Sequence, residues 1–172
     1  QIGFLFDLDG VLIDSKELHW AAWQKMKEIL PELNSMDHEK FLEGFGQTND
    51  SILKHFLPNS DRQERMQWGE KKEEFVRKLA VGKISLLPGM ENFLKEIKEK
   101  NIPLIIASSS PQSNLKFFLK ETVLGEYFNE AISGEEVVHG KPAPDIFKAA
   151  AKRLQVQPAA SIVLEDSLAG LQ

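Results

Sequence analysis

The amino-acid sequence predicts an α/β protein: a Rossmann-like parallel-sheet core into which an all-helical cap is inserted. Three observations predict it. From residue 86 onward, helical stretches alternate with short apolar runs, the pattern of a parallel sheet with helices on both faces. One further apolar run, residues 2–8, stands apart from the others, separated from them by residues 14–85, which hold no convincing strand. Finally, four short motifs follow one another along the chain: Asp7-Leu8-Asp9-Gly10-Val11, Ser108-Ser109-Ser110, Gly140-Lys141-Pro142 and Glu165-Asp166-Ser167. The first, second and fourth end strand-like runs and the third precedes a helix. All four should therefore meet at one edge of the sheet, where open α/β folds bind ligands.

Taken in order, residues 2–8 have too few alternating polar positions for a half-exposed strand, so a strand covered on both faces is expected. Asp14 followed by Glu17 has the spacing of a capping box. Leu18, Ala21, Ala22, Met26, Ile29 and Leu30 continue that helix until Pro31. Further helices are expected over residues 37–44, 50–57 and 61–81, broken by Gly44-Phe45-Gly46 and Pro58-Asn59-Ser60. The alternating part then reads as helix 90–100, strand 102–107, helix 112–121, strand 130–133, helix 144–154 and strand 161–164. The core is accordingly discontinuous, residues 1–13 joined with 86–172, and residues 14–85 form the cap. No internal repeat or low-complexity tract interrupts the pattern.

A chain of 172 residues with 42% hydrophobic and 27% charged residues is long enough for one sizeable core. Its formal charge of −5 gives no basic face for nucleic acid or a membrane surface, so neither is an expected partner, and an anionic substrate must be held by local cations. The absence of cysteine excludes a disulfide framework, a thiolate nucleophile and a Cys-based metal site, and agrees with a cytoplasmic location. No apolar run is long enough to cross a bilayer, and no signal peptide is evident. A monomer is the expected state. The sequence starts at Gln1 without a methionine and stops in the first turns of a helix after Asp166, so it is expected to be a fragment of a longer protein.

The motifs carry the chemistry. Asp7 and Asp9, at alternate positions, should point the same way if the strand continues through them, and two carboxylates that close need a counter-cation. Magnesium suits them, because it takes oxygen ligands and is usually bound by one or two carboxylates plus a substrate phosphate. Gly10 lets the chain turn closely past a ligand. Ser108, at the tip of the second core strand and before a helix, is placed to bind phosphate oxygens with its hydroxyl and the helix amides, and Ser109 stands beside it. Serine's preference for N-cap positions accounts for the rest of that triplet. Lys141, between a flexible and a rigid residue, could neutralise a phosphoryl oxygen as a point charge, although a mobile surface lysine is the default. Glu165 and Asp166 could cap a helix, but a cation brought in by Asp7 needs more carboxylate oxygens, which favours Asp166 as a direct or water-mediated ligand. Among the histidines only His19 lies near the presumed site; His38, His55 and His139 show no zinc spacing. Trp20, Trp23, Phe41, Phe45, Phe56, Trp68 and Phe75 read as packing of the cap.

Together, residues 6–12, Ser108, Lys141 and Glu165-Asp166 resemble the four signature motifs of the haloacid dehalogenase superfamily, over nearly the whole chain. The helical insertion after the first motif, with residues 140–147, is similar to the subgroup with a small helical cap, which includes phosphoglycolate-phosphatase-like enzymes, sugar-phosphate phosphatases and β-phosphoglucomutase. The resemblance implies phosphoryl transfer through an aspartyl phosphate on Asp7, with Asp9 as acid and then base, and argues against dehalogenation. It implies phosphate binding by Ser108, Ser109 and Lys141, Mg2+ held by Asp7, Asp166 and the backbone carbonyl of Asp9, support from Glu165 and Gly10, and cap contacts from His19, Gln47 and Lys71. The implied activity is a phosphatase acting on a small phosphorylated metabolite. The absence of an arginine in Gly46-Gln47-Thr48-Asn49-Asp50 sets that reading ahead of a phosphohexomutase, with a non-enzymatic binding module as a third alternative.

Overall fold

The computed structural model describes residues 1–172. Four parallel strands, β1 (Gly3–Phe6), β2 (Leu104–Ser108), β3 (Ala131–Ser133) and β4 (Ser161–Leu164), form one sheet in the order β3-β2-β1-β4. Phe4 pairs with Leu104 on one side and Ile162 on the other, which places the first strand centrally although it lies far from its partners in sequence. The eight helices are α1 (Lys16–Lys27), α2 (His38–Gly44), α3 (Asn49–Phe56), α4 (Arg62–Ala80), α5 (Met90–Glu99), α6 (Gln112–Glu121), α7 (Asp145–Arg153) and α8 (Leu168–Leu171).

Alternate strand residues serve opposite faces, as the pleat requires. Phe6 and Ile106 join Leu94, Ile97, Leu115 and Phe118 of α5 and α6 in the larger core cluster. Leu5, Ile105 and Ala107 pack on the other face against Ile146, Ala150 and Ala151 of α7. The expected covering of both faces therefore holds for β1 and β2. At the edge strand β4 it does not: Ile162 and Val163, on opposite faces, are 44% and 41% exposed.

The helices α1 to α4 occupy the interval between β1 and β2 and contain no strand. They have a core of their own, built from Trp23, Met26, Leu33, Met36, Phe41, Phe45 and Leu53. Trp20, Phe56, Trp68 and Phe75 pack against it, as their reading as packing residues anticipates. The two chain crossings to the sheet run side by side: Asp14 N donates to Ser85 O at 3.2 Å and Leu87 N to Leu12 O at 3.0 Å. Asp37, Thr48 and Asp61 cap α2, α3 and α4 with their side chains. The expected capping box at Asp14 and Glu17 is absent; Ser15 takes the N-cap position of α1 and makes no cap hydrogen bond, because its hydroxyl is committed elsewhere. A short 3-10 turn over Pro31–Ser35 follows α1, and another over Val123–Glu126 follows α6, neither of which the sequence pattern foretold.

Candidate active site

The carboxyl ends of the central strands carry the motif residues. Asp7 follows β1 directly, and its backbone N still donates to Leu164 O at 3.0 Å, so the acid is fixed to the sheet tip. The strand ends before Asp9, and the expectation that the two side chains point alike is not met. Asp7 Oδ1 accepts from Lys141 Nζ at 2.8 Å, and the same ammonium donates to Glu165 Oε2 at 2.6 Å. Asp9 turns toward α1 and the β2 loop: Oδ1 accepts from Ser15 Oγ at 2.5 Å and from His19 Nε2 at 3.0 Å, and Oδ2 from Ser110 Oγ at 2.8 Å. Gly10, directly after Asp9, has φ +87°, and a Cβ there would collide with the Asp166 carboxylate, so only glycine fits.

These surroundings separate the two acids. Burial raises the Asp7 carboxyl to about 7, with Glu165 and Asp9 adding to the rise and Lys141 opposing it. Burial would raise Asp9 as well, but His19 and the hydroxyls of Ser15 and Ser110 outweigh it and hold that carboxyl well below the usual range. Lysine can only donate, so the contact of Lys72 Nζ with His19 Nδ1 leaves the ring proton on Nε2, the atom that donates to Asp9. The Lys141 ammonium is raised: desolvation lowers it, and the pairs with Asp7 and Glu165 more than compensate.

Asp7, Glu165 and Asp166 each offer a carboxylate oxygen, all within 4.8 Å of one another. These three carboxylates are paired with two ammonium groups, Lys141 and Lys16, the latter 3.1 Å from Asp166 Oδ2. Hard oxygen donors in excess of local positive charge fit a divalent cation such as Mg2+. The side chain of Asp9 lies outside this triad, and Glu165, read from the sequence as a supporting residue, lies within it.

A narrow cavity opens above Asp7 and Asp9, walled by Ser108, Ser109 and Ser110 and closed by α1 to α4 through His19, Trp23, Phe41, Phe45, Gln47 and Lys72. Trp23, Phe41 and Phe45 thus pack the helical block and line the cavity at once. Ser108 is buried, and its Oγ accepts from Ser110 N at 3.1 Å; Ser109 Oγ donates to Gly46 O at 2.7 Å, tying the β2 loop to the helical block. None of the three serines caps α6, whose N-cap position falls on Pro111. Gln47 reaches the cavity wall; Lys71 does not. Lys71 pairs with Glu74 at 2.9 Å on the outer face of α4, whereas Lys72, 2% exposed, points inward. The signal that separates them is periodic: Arg65, Gly69, Lys72, Glu73, Val76 and Ala80 form the buried stripe of α4. Ser15, Ser110, Lys72 and Glu73 are the site residues that motif reading missed.

A model described as haloacid dehalogenase-like hydrolase matches residues 4–172. The chain belongs to that family. This haloacid dehalogenase-like hydrolase is an enzyme, and it is 31% identical over 172 residues to the phosphorylated carbohydrates phosphatase of Thermotoga maritima, covering 98% of the chain and 77% of the relative. It is 31% identical over 175 residues to the β-phosphoglucomutase of Bacillus subtilis, covering 97% and 76%. Among solved structures it resembles CbbY from Rhodobacter sphaeroides in complex with phosphate, with a TM-score of 0.85, 28% identity, and coverage of 99% of the chain and 80% of that structure. The likeness extends through sheet and helical block alike. No helix of this hydrolase is long and apolar enough to cross a membrane.

Proposed function

We propose that the protein is a magnesium-dependent phosphatase that hydrolyses a small phosphorylated metabolite, in the first place a sugar phosphate. Residues 14–85 act as a cap over residues 1–13 and 86–172. The observation that carries this reading is the placement of Asp7: 3% exposed, bridged by Lys141 to Glu165, and open to the same cavity as Ser108 and Ser109. Two relatives named for phosphoryl chemistry, a phosphatase and a mutase, support it.

In this reading an Asp7 oxygen attacks phosphorus, the bond from phosphorus to the substrate oxygen breaks, and Asp9 gives that oxygen a proton. Water then attacks the aspartyl phosphate, with Asp9 taking its proton, and Asp7 is regenerated. The donors around Asp9 favour its ionised form, which suits the water-activating half of the cycle; the proton it then takes from water is the one it gives to the leaving oxygen of the next turnover. Ser108, Ser109 and Lys141 hold the phosphoryl oxygens, and the closed helical block excludes bulk water. Magnesium, held by Asp7, Asp166 and the Asp9 backbone carbonyl with Glu165 adjacent, would offset the charge of the transferring group. Gln47 and Asn49, both neutral, stand on the cavity wall with no arginine beside them, which favours release of phosphate over retention of a bisphosphate. A panel of sugar phosphates assayed with magnesium and with chelator tests the proposal: magnesium-dependent phosphate release supports it, and no release from any member refutes it. The equal identity to the mutase keeps one rival, which would isomerise a hexose phosphate without net release.

A further inference from the structure

A further polar contact joins the cap to the core, between helices α4 and α6. Glu73 on α4 is 2% exposed, and both its oxygens accept hydrogen bonds. Oε1 accepts from Lys72 Nζ at 2.8 Å and from Asn49 Nδ2 at 2.7 Å; Oε2 accepts from Asn114 Nδ2 of the core helix α6. Asn114 is completely buried, and its Oδ1 accepts from Arg77 Nη1 at 2.7 Å, one turn further along α4. Arg77 also donates to Ser113 Oγ at 3.0 Å. The long cap helix thus grips α6 at two points a turn apart, through charged side chains and an amide, where an apolar contact would be the ordinary solution.

Such a contact behaves differently from an apolar one. A buried carboxylate that loses one partner while it stays buried is left uncompensated, whereas full separation lets water hydrate every group involved. Partial separation is therefore disfavoured, and the contact tends to be either complete or fully hydrated. Its state reaches the reaction site by a short path: the Lys72 ammonium that Glu73 holds also touches His19, whose Nε2 donates to Asp9.

We propose that Glu73 is a positioning residue that latches cap helix α4 to core helix α6 through Asn114, so that Lys72 and His19 are brought against Asp9 only when the two helices meet. The chemical consequence rests on the phosphatase reading; the latch itself does not. Asn114→Asp sets a second carboxylate against Glu73 with little change of shape and leaves the residues assigned to phosphoryl transfer intact. With an alkyl phosphate, whose leaving oxygen needs a proton, the variant is expected to lose about 10- to 100-fold in kcat, the cost of disrupting a buried charged hydrogen bond. With p-nitrophenyl phosphate, whose leaving group needs little proton donation, the loss in the single-turnover rate of p-nitrophenolate release, a step that precedes water attack, is expected to stay within about threefold. Equal losses on both substrates, or none on either, overturn the proposal. If Asn114→Asp gives no cooperative unfolding transition, the same comparison is made with Asn114→Ser. If the wild-type chain turns over neither ester, hydrogen exchange decides the latch, independently of the phosphatase reading. Faster exchange of the amides of residues 45–49 and 108–110 in the folded variant supports it, and unchanged exchange refutes it.

Discussion

At the scale of single residues, Asp7 stands under two opposed demands: it must be buried to react away from water, and burial resists its ionisation. Its carboxyl sits at about 7 against 3.8 for the free group, so between those values the folded protein binds a proton that the unfolded chain has released. Stability from this group is thus greatest at low pH and is lost as pH rises toward 7. Asp7→Asn should abolish magnesium-dependent turnover and yet, without metal, raise the unfolding free energy at pH 8 by an amount on the order of 1 kcal/mol, with little change at pH 4. Thermal melts at the two pH values check it; a variant less stable at pH 8 than the wild type contradicts the assignment. Gly10→Ala places a Cβ at φ +87° and against Asp166, so it should cost about 1 kcal/mol or more in stability and weaken magnesium binding by calorimetry. The positions of Asp7, Ser108, Lys141 and Asp166 at one sheet edge were legible in the sequence, because each lies where a strand-like run ends or a helix begins. The divergence of Asp9 from Asp7 was not, because it depends on where the strand stops and on three donors outside the first motif: Ser15, His19 and Ser110.

At the scale of elements, the helices expected to begin at Asp37 and Asp61 read well, and both residues cap, whereas the helix expected from residue 50 begins at Asn49 behind a Thr48 cap. The start of α1 did not read well, since a local capping pattern at Asp14 loses to the tertiary bond of Ser15 with Asp9. The choice between adjacent lysines on α4 also failed locally, and motif spacing is blind to the buried stripe that resolves it. Lys72→Met is expected to lower kcat/KM at least about tenfold, since it removes a buried charge-assisted contact, whereas Lys71→Met should leave it within about twofold. Steady-state kinetics on one substrate distinguish them; reversed effects would return the role to Lys71. The core elements make a simpler demand: Leu94→Ala, fully buried in α5, should cost about 2–5 kcal/mol by urea unfolding, and Met66→Ala, 60% exposed on α4, close to nothing.

At the scale of the molecule, a rigid sheet supplies the acids and a separately packed helical block closes over them. The two crossings, at residues 12–15 and 84–87, run side by side, which makes them the natural hinge for opening. A phosphate analogue with magnesium should slow hydrogen exchange at both crossings and in the loop at residues 45–49; exchange unchanged at all three would argue for a fixed block. The central claim is narrower than closure: phosphorus becomes bonded to the carboxylate of Asp7 during turnover. Quenching the reaction of a sugar phosphate with magnesium, reducing the protein with borohydride and sequencing its peptides by mass spectrometry reads that bond directly, because an aspartyl phosphate is reduced to homoserine. The predicted result is homoserine at position 7, lost when magnesium is chelated. Phosphate released with position 7 unmodified, or with the modification at another residue, would contradict it.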